Sequence, residues 1–202
     1  MKTRGGQTGL LGLGYSINEG IAGNEEVSYP NFVETLVNAG EIASRFYSLY
    51  LSNLGQYGSI IFGGVDTQKF DGGLVTLNCM PAHGYVYDFA MRMPSVTMVD
   101  GNGTTVQLVN ETNALYGVFD SGATAWRVED IVYHEIVDLT GFVFSPEVGF
   151  AIRPCVEISN TTAFNFQFRG YEGNNATNAH LRVLLSQMFS HYQHVKKPTM
   201  VS

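Results

Sequence analysis

Apolar and polar positions along this chain alternate mostly in short runs, and a helical period shows in a few longer windows. The first window lies between Pro30 and Gly40. Phe32, Val33, Leu36 and Val37 share a face, Pro30 stands near the first turn and Gly40 closes the pattern, so a helix is expected there. The second spans 128–139, where Val128, Ile131, Val132, Ile136 and Leu139 fall on one face and Gly141 ends the run. The third covers 179–193. Leu181, Leu184, Leu185, Met188, Phe189 and Tyr192 line up at helical spacing, which predicts an amphipathic helix packed on a core.

Elsewhere the pattern is that of strands. Phe46–Leu51 and Gly58–Gly64 are strand-like runs joined by a glycine-containing loop. Residues 8–15 form a short apolar, glycine-rich run that predicts a buried strand, and Leu74–Leu77 predicts another. Asp100-Gly-Asn-Gly103 is a strong turn signal. It joins the loosely alternating stretch 84–99 to Thr104–Val109, which predicts a hairpin. Further strands are expected at 149–153 and 163–168.

Composition agrees with a β-rich chain. The 202 residues include 23 glycines and 13 phenylalanines, with 45% hydrophobic and 14% charged residues, enough for one domain or two small ones. The net charge of −7 is spread without any basic stretch, which argues against nucleic acid as a partner. No apolar run approaches the ~18 residues of a membrane span. The first residues lack the apolar segment of a signal peptide. Four Asn-x-Ser/Thr sequons, at Asn102, Asn110, Asn160 and Asn175, point instead toward a secretory route. Cys79 and Cys155 can bridge or stay free.

Most candidate chemistry is weak. His191 and His194 stand three apart, but no third metal ligand has suitable spacing, and a solvated helix face explains them as well. No Gly-x-Ser-x-Gly elbow is present. The glycines of Thr8–Tyr15 lack the spacing of a dinucleotide fingerprint. Phe119-Asp-Ser-Gly-Ala123 stands apart. An apolar run from Leu115 delivers Asp120 to a turn where glycine permits close backbone approach. Backbone N–H groups of such a turn can hydrogen-bond the carboxylate and hold it ionised.

Several segments, in order, resemble the pepsin-like aspartic endopeptidases, above all the fungal secreted and yapsin-like members. They are Thr8-Gly-Leu-Leu-Gly-Leu-Gly-Tyr15, Tyr29–Ile42, Phe46–Leu51, Gly58-Ser-Ile-Ile-Phe-Gly-Gly-Val-Asp66 and Leu115-Tyr-Gly-Val-Phe-Asp-Ser-Gly-Ala-Thr124. The resemblance covers about residues 5–168. It implies a mostly β, pepsin-like acid protease fold, represented in part: the end of an N-terminal lobe and most of a C-terminal lobe. It assigns residues 1–80 to the first lobe and inter-lobe strands, 81–170 to the second lobe, and 171–202 to an atypical helical tail. It implies Asp120 as a catalytic carboxylate, Ser121 and Gly122 as support for its loop, and Ala123 and Thr124 as substrate contacts. It further implies a polypeptide substrate, no metal or other cofactor, a monomer, and an extracellular or secretory-pathway location for the full-length form.

The chain also departs from the family pattern. Asp120 lies in the single Asp-Ser/Thr-Gly triplet, so the first lobe's aspartate and its flap tyrosine are expected upstream of Met1. Ala123 stands where Ser or Thr is more usual. Cys155 falls where the family often begins a lobe disulfide, and its customary partner is not found. The hydrophobic-hydrophobic-glycine strand expected after about residue 170 is not recognisable. The expectation is therefore an aspartic endopeptidase by descent, inactive as these residues alone. The alternative is a non-catalytic β-rich protein that binds peptides or partners. A homodimer pairing two Asp120 loops is disfavoured, because the first-lobe residues would have to move aside.

Overall fold

A computed structural model of the chain describes residues 11–18, 29–52, 57–123, 126–147, 149–154, 157–171 and 177–188. It divides into two compact units, Met1–Leu74 with Cys79–Phe89, and Val75–Asn78 with Ala90–Ser202.

In the first unit, helix α1 (Phe32–Asn38) begins at a capping box. Asn31 Oδ1 accepts from the Glu34 N–H at 2.8 Å, and the Asn31 N–H donates to Glu34 Oε2 at 3.1 Å, so two orphan donors of the first turn are satisfied. Gly40 takes a positive φ of 75° just past the end. There its N–H reaches Val37 O and the Glu41 N–H reaches Leu36 O, a left-handed stop that glycine adopts without strain. Strands β1 (Tyr47–Tyr50) and β2 (Ser59–Phe62) pair antiparallel, Tyr47 opposite Phe62. Rings tie these elements together. Phe62 meets Phe32 at 5.2 Å and Tyr47 at 6.4 Å, and Phe89 meets Tyr15 at 5.2 Å and Tyr47 at 6.4 Å.

The second unit holds β3 (Ala90–Met93), β4 (Ser95–Val99), β5 (Thr105–Val109), β6 (Leu115–Val118), α2 (Asp130–Thr140), β7 (Val143–Ser145), β8 (Phe150–Ile152), β9 (Ala163–Phe168) and β10 (Ala179–Leu184). Its centre is a four-stranded sheet in the order β10-β9-β4-β5. Val96 sits opposite Phe166 and Met98 opposite Phe164, and all four are buried. Burying each such side chain contributes roughly 1.5–3 kcal/mol. Between β4 and β5 the register slips at Val96/Thr97, leaving Leu108 as an extra residue. That bulge lets consecutive Leu108 and Val109 both be buried, which strict alternation forbids. The Gln107 side-chain amide donates to Ser95 Oγ, Val96 O and Val109 O beside the irregularity.

Several sequence expectations hold: α1, the β1–β2 pair, the β4–β5 hairpin, α2 with Gly141 at its left-handed end, and strands β8 and β9. Others need correction. Residues 11–15 are not a strand. Leu13 and Gly14 carbonyls accept instead from Tyr47 Oη and Asn31 Nδ2, so the backbone is satisfied by side chains rather than a ladder. In Leu74–Leu77 only Leu77 makes an isolated bridge, to Gly170. The buried line of α2 is Val132 and Thr140, four residues either side of Ile136, whereas Ile131 is 71% exposed and Leu139 is 42% exposed. The described part of 179–193 is not the expected helix. Residues 179–184 form β10, paired along its length with β9, and only Leu185–Gln187 turn, as a single 3-10 turn.

Candidate functional site

The loop that carries Asp120 grows out of a two-stranded sheet. β6 pairs antiparallel with β3, Leu115 opposite Met93 and Gly117 opposite Met91. Both methionines are buried, so the face carrying Leu115 and Gly117 turns inward, while Tyr116 and Val118 are exposed. Gly117 admits a close neighbour. A Cβ there would lie 3.6 Å from the Phe168 ring and 3.8 Å from Met93 Sδ. Phe119, one residue past the strand, packs its ring 5.1 Å from Phe168. Strand parity and this ring contact leave Asp120 on the exposed side.

Asp120 then opens a turn. The Ala123 N–H donates to Asp120 O at 3.2 Å, closing it, and the Gly122 N–H donates to Asp120 Oδ1 at 2.8 Å. Gly122 suits this place for lack of a side chain, since a Cβ would stand 3.1 Å from that same oxygen. Ser121, Gly122 and Ala123 are all exposed beside the carboxylate. Thr124 lies outside the described residues, as do Cys155, Asn175, His191 and His194. Among the described residues no Arg, Lys or His forms an ion pair with Asp120. An exposed carboxylate tethered through one oxygen keeps its other oxygen available to water or a ligand.

The aromatics on either side of the turn in sequence, Phe119 and Trp126, pack on β9 rings that sequence reading did not single out. Trp126 stands 5.6 Å from Phe164 and 5.3 Å from Phe166, edge to face, and Phe168 carries Phe119. The alternation Ala163-Phe-Asn-Phe-Gln-Phe168 is the signal that could have marked them. Cys79 is a free thiol that accepts from Tyr15 Oη at 3.8 Å. Burial first, and then that thiol, push the Tyr15 hydroxyl above its ordinary pKa. Among the described residues no group of three His, Cys, Asp or Glu is gathered in a way that could hold a metal ion. Nor is any described helix long and apolar enough to cross a membrane.

A family model described as eukaryotic aspartyl protease matches residues 2–192. A probable aspartic-type endopeptidase OPSB of Arthroderma otae is 33% identical over 166 residues, covering 79% of this chain and 34% of that protein. Aspartic proteinase 3 of Saccharomyces cerevisiae is 28% identical over 179 residues, covering 82% of this chain and 31% of that protein. The crystal structure of an aspartic proteinase from Irpex lacteus aligns with a TM-score of 0.62 at 16% identity, across 86% of this chain and 50% of the other, a likeness of fold. The mostly β architecture is thus a partial pepsin-like one. The chain spans about a third of the length of the curated relatives it matches.

Proposed function

The chain belongs to the eukaryotic aspartyl protease family, and on that premise we propose that Asp120 is one of the two carboxylates with which such a fold hydrolyses peptide bonds. The observation that carries this reading is the exposed Asp120 carboxylate, tethered by the Gly122 N–H at 2.8 Å where a strand ends. Two carboxylates held close cannot both ionise, so they share a proton. The ionised one takes a proton from water, and the protonated one polarises the scissile carbonyl. Ser121 and Gly122 hold the loop, while Ala123 and Thr124 touch the substrate, a polypeptide cleaved at acid pH. Residues 1–80 belong to the first lobe and its connecting strands, and 81–170 to the second. The full-length form works outside the cell or in the secretory pathway.

A single Asp-Ser/Thr-Gly triplet occurs in the 202 residues. One carboxyl cannot be acid and base at once, so these residues alone are inactive. The same observation favours a second reading, a β-rich module that binds peptides without cutting them. The experiment replaces the matched third of a peptide-cleaving relative with this chain. Cleavage of a denatured protein at acid pH, abolished by a pepstatin-type inhibitor, is expected. Asp120→Asn in that chimera should lower turnover by about 10²–10⁴-fold without shifting its melting temperature. A fully active Asp120→Asn chimera would overturn the assignment, and a folded, inactive chimera that still binds peptide would favour the second reading. Inhibitor-sensitive turnover by the 202 residues alone would refute their inactivity.

A further inference from the structure

We propose that Asn102, at the tip of the β4–β5 hairpin, is an acceptor for an N-linked oligosaccharide, and that among the described sequons it is the one the folded chain still presents whole. Transfer needs an asparagine amide, a hydroxyl two residues later and room for a bulky polar group. Asn102, Gly103 and Thr104 are all exposed. The turn around them is held by the backbone and by Asp100. The Asp100 N–H donates to Thr104 O at 2.9 Å and the Gly103 N–H to Asp100 O at 3.1 Å, and Asp100 Oδ1 accepts from the N–H groups of Asn102 and Thr104. None of these bonds uses the Asn102 side chain. A sugar on that amide therefore removes no contact from the hairpin. Thr104 is itself exposed at the hairpin tip, so its hydroxyl can be reached by an enzyme group without opening the β4–β5 pairing.

The other described sequons are engaged by the fold. Asn160 is exposed, but the residue that completes its sequon, Thr162, is only 8% exposed. The Thr162 N–H donates to Ser159 Oγ at 3.0 Å and its carbonyl accepts from the Leu185 N–H at 2.8 Å. At Asn110 the acceptor and the hydroxyl are bound to each other. Asn110 Oδ1 takes the Thr112 N–H at 2.9 Å and the Thr112 hydroxyl, while the Asn110 N–H donates to Asn113 Oδ1 at 2.6 Å. Reading either sequon requires opening a local structure that Asn102 does not need to open.

In the transfer, Asn102 Nδ2 bonds the anomeric carbon of the first sugar of a lipid-linked oligosaccharide. The bond from that carbon to the carrier's pyrophosphate oxygen breaks, the lipid pyrophosphate leaves with the electron pair, and the amide yields one proton to solvent. No redox partner is involved. The proposal rests on the secretory reading above, so the test supplies entry independently.

The chain is expressed behind a cleavable foreign leader in a eukaryotic secretory host, and each sequon is read by peptide mapping after glycosidase treatment in heavy-oxygen water. Asn102 should be occupied in most molecules. Asn102→Gln and Thr104→Ala should each remove one glycan, and Thr104→Ser should keep it. An unmodified Asn102 in molecules whose leader has been cut would overturn the proposal, whether or not other sequons are filled. In a second arm, purified unglycosylated folded chain is given an oligosaccharyltransferase and the lipid-linked donor. Labelling at Asn102 ahead of Asn110 and Asn160 is expected, and equal labelling would refute the claim of selective presentation. Neither arm depends on proteolytic activity.

Discussion

Two aspartates end apolar strands in the second unit, and they do different things. Asp100 follows β4 and accepts two backbone N–H groups on Oδ1, from Thr104 at 2.8 Å and Asn102 at 2.9 Å. Its turn feeds straight back into β5, and the carboxylate is consumed in shaping it. Asp120 follows β6 at a remove of one residue and accepts a single N–H, that of Gly122. Its turn leads on toward α2 instead of a pairing strand. The same side chain at the same kind of site is spent on structure in one case and held in reserve in the other. What separates them is the number of donors the following backbone supplies.

The largest stability effect should come from the β9 rings packed on Phe119 and Trp126. Phe168→Ala removes the ring that carries Phe119 and faces Gly117, and should destabilise the chain by about 3–5 kcal/mol. Chemical denaturation would measure it. A loss under about 1 kcal/mol would mean that the Asp120 turn stands without its aromatic support, as the Asp100 turn does.

Glycine should matter differently in the two turns. Gly103 has φ of 84°, so Gly103→Ala is strained and should cost about 1–2 kcal/mol. At Gly122 the alanine Cβ crowds the carboxylate instead, 3.1 Å from Asp120 Oδ1. Gly122→Ala should therefore impair turnover of the chimera more than it lowers the melting temperature. Equal effects on stability at both positions would erase the distinction.

The smallest effect is the pH dependence of the hairpin. The Thr104 N–H, with that of Asn102, holds the Asp100 carboxyl below its ordinary value of 3.8. A carboxylate whose folded pKa is depressed contributes stability that is complete above its unfolded value and is lost as the pH falls through the folded one. The Thr104 amide signal should therefore keep its native position at pH 3.8 and shift only in stronger acid. Asp100→Asn should flatten that dependence. An amide that titrates at or above 3.8 in the native chain would contradict it.

Much of the local structure was legible beforehand. Asp100-Gly-Asn-Gly103 announces its hairpin, Gly40 closes α1, and Leu115–Asp120 reads as a strand delivering a carboxylate. Each rests on contacts between residues near in sequence. The failures share the opposite property. Leu181, Leu184 and Leu185 have helical spacing, yet β10 pairs residue for residue with β9, because an apolar strand that needs a neighbour outweighs a period over a short window. The run through Leu13 lies beside hydrogen-bonding side chains rather than another strand.

The amino-acid order by itself determined the turns, the caps and the place of Asp120 at a strand's end, since these need only neighbours a few residues away. Tertiary structure alone decided which period the 179–188 segment obeys, where the β4–β5 bulge falls and that the β9 rings meet Phe119 and Trp126. Those outcomes depend on side chains remote in sequence competing for one apolar surface, and no local pattern records which of them wins.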